Sequence, residues 1–309
     1  VLRVALIVNP SAGSGAGSRA APTIKSALER AGASANIIET RGPGDARRIA
    51  GECRASGVEV IAVVGGDGTL NEVSQAYLDG DGNPLAGPPL AVLPLGTGGD
   101  FRKTLELGTN LDEAIERLLQ SEPRPFDLGI LRVTTHAGTP EFRAFLNIAS
   151  FGIGGLTDRI VNAGPKWLGG KTAFFLGTLR GLIAYRNAPV RVRVDGEIWL
   201  ESPIVNVALA NGRYFGGGMQ IAPDADPSDG KLDIVALGDL TKLQVVGLTQ
   251  HIYRGTHLGL PGITSTRGVS IEAEPLVPND EVLVDMDGET PGRLPLSARV
   301  APGAVWIRA

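Results

Sequence analysis

The sequence predicts a two-domain protein: an α/β domain with a parallel sheet and helices on both faces, then a mainly antiparallel β domain. Three observations predict it. Over residues 1–120, short aliphatic runs alternate with segments of helical spacing, the signature of a parallel sheet. Beyond Ser121-Glu122-Pro123-Arg124-Pro125, strand-like runs follow one another directly. The 43 glycines of this 309-residue chain fall largely in short clusters between apolar runs, where tight loops form and backbone can approach a ligand.

In the first domain the strand-like runs are 4–8, 35–39, 58–64 and 90–93. Helical spacing appears at Ile24, Ala27, Leu28 and Ala31, again over 45–54, and over 70–78. Pro43-Gly44-Asp45 supplies a helix start, with Asp45 as the expected N-cap. In the second domain 126–134 and 141–148 are expected to pair as a hairpin. Residues 190–194 and 198–200 flank Asp195-Gly196, a strong two-residue hairpin signal. Strands continue at 203–209, 232–237, 269–273, 282–285 and 305–308. Helices are expected at 172–186 and 241–253. The domains are placed at 1–127 and 128–295.

Hydrophobic residues make up 43% and charged residues 20%, a globular balance. The net charge of −4 argues against a nucleic-acid partner, which would require clustered cations. Cys53 is the only cysteine, so intrachain disulfides and cysteine-rich metal sites are excluded and a reducing, cytoplasmic location is expected. The opening 1–8 reads as a buried strand rather than a signal-peptide core. No run of about 18 apolar residues occurs; the nearest approach, 173–185, is interrupted by Arg180.

Ligands of such sheets bind beyond the carboxyl ends of the strands, and three glycine clusters fall there. Gly13-Ser14-Gly15-Ala16-Gly17 follows the first strand, Gly65-Gly66-Asp67-Gly68-Thr69 the third and Gly96-Thr97-Gly98-Gly99 the fourth. In the 65–69 turn the glycines expose N–H groups, and the following helix adds partial positive charge, together an anion cradle. Asp67 within it cannot favour phosphate by itself. It needs a cation or a proton to handle, which suggests Mg²⁺ or a hydroxyl nucleophile. The plainer reading is a strand-to-helix turn with Asp67 as a helix cap. The loop after the fourth strand adds Thr97 and Asp100; two carboxylates near a polyphosphate suit metal-assisted phosphoryl transfer.

Two better-known phosphate motifs fit poorly. Gly169-Gly170-Lys171-Thr172 lacks the first glycine of a Walker A loop, having Pro165 there, and no strand precedes it. Gly15 to Ala20 with Glu39 matches a dinucleotide fingerprint weakly, since Asn9-Pro10-Ser11-Ala12 separates it from the strand. Asp285-Met286-Asp287-Gly288-Glu289 reads by itself as a hairpin turn with solvated acids. The turn at 223–230, containing Asp224, Asp226 and Asp229, is either solvated or a site for a hard cation. His136, His251 and His257 show no metal-ligand spacing. Phe174, Phe175, Leu176, Leu179, Leu182 and Ile183 are helix-spaced, most simply a core face, alternatively an acyl-chain pocket or membrane-surface element.

Taken in order, Asn9-Pro10-Ser11-Ala12-Gly13, the Gly65–Thr69 turn with Leu70-Asn71-Glu72, Gly96-Thr97-Gly98-Gly99-Asp100-Phe101, Ser228-Asp229-Gly230 and Asp287-Gly288-Glu289 resemble the diacylglycerol kinase catalytic family, relatives of the sphingosine and ceramide kinases. The resemblance covers nearly the whole chain. It implies the NAD kinase/diacylglycerol kinase-like fold, nucleotide in the interdomain cleft, and ATP-dependent phosphorylation of a lipid hydroxyl with Mg²⁺. It points to Asn9, Ser11, Gly13, Thr40, Gly65, Gly66, Asp67, Gly68, Thr69, Asn71, Glu72 and Thr97 for the nucleotide. Glu289 matches the proton acceptor, with Asp67 and Asp100 organising metal and phosphates. The metal site maps to Asp226, Asp229 and Lys231, with Asp127 in the same network. Residues 296–309 are expected to return to the nucleotide domain. Gly99 departs from the pattern, which usually has asparagine there; a side-chain amide is lost and backbone freedom gained.

These implications make ATP and a lipid the expected partners, with peripheral membrane contact at the inner face; a homodimer is compatible with them. An NAD kinase also carries a GGDG turn and uses the same nucleotide logic on a soluble acceptor. A dehydrogenase, resting on the weak fingerprint at Gly15, is a distant third among the enzyme readings, and a sensor that has lost catalysis is the reading from another class.

Overall fold

The structure, a computed structural model, describes residues 1–95, 99–157, 181, 184–278 and 280–309. The chain divides into two compact units, 1–128 with 301–309, and 129–300. It passes between them within two strands, Arg124–Thr135 and Glu289–Arg308. The returning segment thus begins at Ala301, later than the expected 296.

The first unit alternates as its sequence does: β1 (Arg3–Val8), α1 (Ala16–Arg30), β2 (Ser34–Glu39), α2 (Asp45–Ala55), β3 (Val60–Gly65), α3 (Asp67–Ser74), β4 (Leu90–Pro94), α4 (Asp100–Thr104) and α5 (Leu111–Gln120). The sheet order is β4-β3-β1-β2, all parallel, and Ile307 and Arg308 add the returning chain parallel to Leu90 and Ala91. Both faces are covered. Val4, Leu6, Val8, Val60, Ala62 and Val64 pack on Ile24 and Leu28 of α1 and Ile115 and Leu118 of α5. The alternate residues Ala5, Ile7, Ile61 and Val63 are equally buried, on the side of α2 and α3. Burial on both faces is why these strands read as continuous aliphatic runs.

Two details correct the sequence reading. Asp45 is not the N-cap of α2: Gly44 caps it in the left-handed region, while Asp45 opens the helix and accepts from the Arg41 N–H at 2.8 Å. The stretch 70–78 becomes α3, starting already at Asp67, and a short 3-10 turn. The helix α5 is an addition. Its apolar residues recur at helical spacing, and the Asn110 side chain caps it by accepting from the Asp112 N–H.

The second unit is built from the remainder of β5 (Arg124–Thr135), then β6 (Pro140–Phe145), β7 (Ile148–Gly152), β8 (Ala188–Val194), β9 (Glu197–Ile204), β10 (Asn206–Ala210), β11 (Leu232–Leu237), α6 (Lys242–Tyr253), β12 (Ile263–Gly268), β13 (Ser270–Pro275), β14 (Leu283–Met286) and β15 (Glu289–Arg308) up to Val300. One antiparallel run is ordered β12-β11-β10-β7-β14-β15; β13 joins β15 to the β8–β9 hairpin, which turns at Asp195-Gly196 as expected. The expected strand 141–148 is interrupted at Leu146-Asn147, so β6 pairs with β5 while β7 belongs to the antiparallel run. One core lies among Phe145, Phe151, Val192, Ile234 and Leu296; a second, with Ala208, Val235 and Ile263, is covered by Leu248 and Ile252 of α6. α6 opens on a capping box, Thr241 with Gln244. Of the helix expected over 172–186, the residues 172–180, 182 and 183, with Phe174, Phe175, Leu176, Leu179, Leu182 and Ile183, lie outside the described residues, as do Gly169-Gly170-Lys171-Thr172; 181 and 184 are helical, and 185 and 186 are not.

Candidate active site

In the first unit Asp67 sits at the start of α3, immediately beyond β3, and is half-buried. Its Oδ2 accepts from the Gly99 N–H at 2.8 Å and the Asp100 N–H at 2.9 Å, and its Oδ1 from the Phe101 N–H at 3.3 Å. These are the N-terminal amides of α4, which favour an anion. Backbone donors thus engage both carboxylate oxygens, and Asp67 caps the helix after the next strand. Burial pushes its pKa up and the Asp100 carboxylate adds to that, against the opposing pull of the three amides.

Asn9 makes the second link. Its Nδ2 donates to Thr69 Oγ1 at 3.1 Å, and its Oδ1 accepts from the Ser11 N–H at 3.0 Å. A Cβ on Gly13, whose φ is +55°, would collide with the Leu95 carbonyl, so the first glycine loop packs directly on the chain leaving β4. Three strand ends are thus tied through two side chains and one close backbone contact. A hollow of about 20 Å³ remains, lined by Gly65, Gly66, Asp67, Leu70, Gly99 and Arg102. Gly68 faces open space: a Cβ there would meet nothing within 4 Å.

The other expected nucleotide residues are distributed around this group. Thr40 ends β2, buried, with its N–H donated to the Val8 carbonyl at 2.9 Å. Asn71 is buried beneath the turn, where its carbonyl accepts from Ser74 Oγ and Gln75 Nε2. Glu72 accepts from the Ala46 N–H at 3.1 Å and so holds the start of α2. Asp100 is buried and ion-paired with Lys103 at 2.7 Å. Glu39, the acid of the weak dinucleotide fingerprint, accepts from Ser18 Oγ at 2.9 Å. Thr97 lies outside the described residues.

The Asp287-Gly288 turn of the second unit joins β14 to β15, a hairpin as expected, but its acids are not merely solvated. Asp287 accepts from the Leu146 and Ile148 N–H groups at 3.3 and 2.9 Å, which explains the break between β6 and β7. Asp285 accepts from Ser150 Oγ and the Gly288 N–H. Glu289 Oε2 faces Arg143 Nη2 at 2.8 Å, with the carboxylate partly exposed. Buried Asn147 and Asn211 complete the knot: Asn147 Nδ2 donates to the Tyr214 carbonyl and Asn211 Nδ2 to that of Leu146. Arg143, Asn147 and Asn211 carried no sequence signal, because a lone arginine or asparagine in a strand run has no diagnostic spacing.

Asp226 and Asp229 share one turn. Asp226 accepts from the Ser228 N–H and Oγ, while Asp229 accepts from the Lys231 N–H at 3.0 Å and pairs with Arg267. Asp127 belongs to the first unit, buried, accepting from the Gly303 N–H at 2.8 Å. Among the described residues no three His, Cys, Asp or Glu side chains gather where they could hold a metal.

The diacylglycerol kinase catalytic domain profile matches residues 3–131, and that of the YegS C-terminal NAD kinase beta sandwich-like domain matches residues 147–309. The chain belongs to the diacylglycerol kinase and YegS-like lipid kinase family. Among relatives of this lipid kinase family, a diacylglycerol kinase of Mycobacterium tuberculosis (strain ATCC 25618 / H37Rv) is 28% identical over 308 residues, covering 99% of this chain and 94% of its own. A protein of Xanthomonas euvesicatoria pv. vesicatoria (strain 85-10) named "Probable lipid kinase YegS-like" is 34% identical over 69% of this chain and 67% of its own. The crystal structure of a diacylglycerol kinase from Bacillus anthracis str. Sterne superposes with TM-score 0.70 at 25% identity, covering 99% of this chain and 96% of that one. An NAD kinase from Archaeoglobus fulgidus in complex with ATP superposes with TM-score 0.52 at 14% identity, a likeness of fold. The kinase family makes this chain one of a phosphotransferase lineage.

Proposed function

We propose that this chain is an ATP-dependent lipid kinase that transfers the γ-phosphoryl group to the hydroxyl of a diacylglycerol-like lipid. The observation carrying the reading is the Asp67 latch. It joins the Gly65–Thr69 turn to the loop bearing Gly99 and Asp100, while Gly68 leaves the first turn of α3 open to a ligand. A helix start with exposed amides receives phosphate oxygens without further chemistry. Asp67 is read as the residue that positions the two loops, and Asn9, Ser11, Gly13, Thr40, Gly66, Thr69 and Thr97 as the nucleotide surroundings. Asn71 and Glu72 support them from beneath.

The lipid hydroxyl oxygen forms the new bond to the γ-phosphorus, the bond to the β-phosphate bridging oxygen breaks, and ADP leaves. Glu289 takes the hydroxyl proton, and Arg143 holds its carboxylate in one orientation. Asp226 and the Lys231 carbonyl in the second unit would help hold Mg²⁺, which would supply charge neutralisation; Asp127, in the first unit, orders the returning chain at Gly303. Asp229, paired with Arg267 and accepting from the Lys231 N–H, orders that turn around the ion.

The test is transfer from labelled ATP to a total lipid extract, with wild type and Glu289→Gln. A labelled phospholipid from wild type, lost in the variant, supports the reading; full activity in the variant removes Glu289 from it. The NAD kinase-like fold favours one alternative acceptor, so NAD is included in a parallel reaction, and label in NADP alone refutes the lipid assignment.

A further inference from the structure

A 32-residue part of the second unit differs from the rest of the chain in charge. The chain has 33 Asp and Glu against 29 Lys and Arg, yet from Leu240 to Ile271 it carries no acid. Lys242, Arg254 and Arg267 lie in that stretch, with His251 and His257. Arg267 pairs with Asp229 and Asp233; Lys242 is the first residue of α6 and Arg254 its C-cap.

α6 is apolar on two sides. Leu248 and Ile252 face the core. Three and four residues apart on the opposite side stand Leu243, Val246, Gln250 and Arg254, with Tyr253 beside them. Leu243 is 86% exposed, Val246 58% and Tyr253 48%. Single exposed aliphatics need no explanation, but three on one helix face, edged by cations and free of acids, form an interfacial pattern. Beside the start of α6 a cavity of about 340 Å³ is lined by Tyr185, Arg186, Asn187, Leu240, Lys242 and Val245. It therefore places a second cation, Arg186, next to Lys242. The acid that precedes this stretch in the sequence, Asp239, accepts from Asn187 Nδ2 at 2.7 Å.

We infer that the outward face of α6 docks on an anionic lipid bilayer, with Leu243, Val246 and Tyr253 entering the interface and Lys242, Arg254 and Arg186 meeting lipid phosphates. The choice of a bilayer rests on the lipid-kinase reading; the charge and the apolar stripe stand independently of it. Cations next to an interfacial apolar face suit anionic headgroups, and such binding weakens with salt.

The experiment is co-sedimentation of the full chain with phosphatidylglycerol–phosphatidylcholine vesicles and with phosphatidylcholine vesicles alone. Wild type is expected on the anionic vesicles only, and to come off as salt rises. Leu243→Glu/Val246→Glu, and separately Lys242→Glu/Arg254→Glu, are expected to reduce binding about tenfold or more while leaving the melting temperature unchanged. With dispersed short-chain diacylglycerol as acceptor the same variants keep wild-type turnover, and with diacylglycerol in anionic vesicles they lose it. No anionic-vesicle binding by wild type, or equal binding by the variants, overturns the inference. So does a wild-type dimer, seen by sedimentation velocity, that the variants split without any change in vesicle binding. Vesicle binding without turnover of either acceptor refutes the kinase reading and leaves the docking face standing.

Discussion

Asp67 spends its two oxygens on three amides, so its substitution tests architecture before chemistry. Asp67→Asn keeps the shape but removes one acceptor and turns an NH₂ toward backbone donors. The expected cost is about 1–3 kcal/mol of unfolding free energy by denaturant titration, with weaker ATP binding. Glu289→Gln differs in kind. It loses a partly exposed ion pair, so stability is expected to change by about 1 kcal/mol or less, while phosphoryl transfer falls by roughly 10²–10⁴ if the carboxylate takes the proton. His257 provides a pH handle. Its ring is buried, Nε2 lies 3.0 Å from the Ile221 carbonyl, and burial holds its pKa below the usual 6.5. Between the lowered folded value and the unfolded one, the unfolded chain binds more protons. Stability is therefore full above about pH 6.5 and falls as pH drops below it. Melting curves across this range are expected to show a shallower slope in His257→Gln; an unchanged slope removes the assignment.

At the scale of elements, two glycines separate structure from ligand contact. Gly13→Ala drives a Cβ into the Leu95 carbonyl at positive φ and is expected to cost about 1–3 kcal/mol. Gly68→Ala puts a methyl into open space within α3, where it is expected to gain about 0.5–1 kcal/mol yet raise the KM for ATP. A stabilised variant with unchanged KM would remove Gly68 from the phosphate cradle. The same elements show what was readable in the sequence. β1 and β3 are buried on both faces, so their aliphatic runs announced them, and Asp195-Gly196 announced its hairpin. The α5 signal was present in Asn110 and the Leu111-to-Leu118 spacing but is short. The break at Leu146-Asn147 was unreadable because it depends on Asp287, 140 or so residues away, accepting two amides there. Likewise the capping of α4 by Asp67 crosses from one strand end to the next, and no local pattern encodes such a bond.

At the scale of the whole molecule, glycine turns and acids appear in one order along the chain, and the two units carry different shares of them. The first unit holds the latched loops, the second the Asp287-Gly288 turn with Glu289 and the α6 face. The motif order identified the family from sequence because each motif is a loop whose backbone geometry restricts its residues. The acceptor lipid was not readable, since recognition of an acyl chain needs only apolar surface. The central claim is that this chain moves phosphate from ATP to a lipid hydroxyl. The most direct measurement is incubation with labelled ATP and a total lipid extract, followed by identification of the labelled product. The account predicts one labelled phospholipid class from wild type and none from Glu289→Gln. Label confined to NADP, or equal lipid labelling by both proteins, would contradict it.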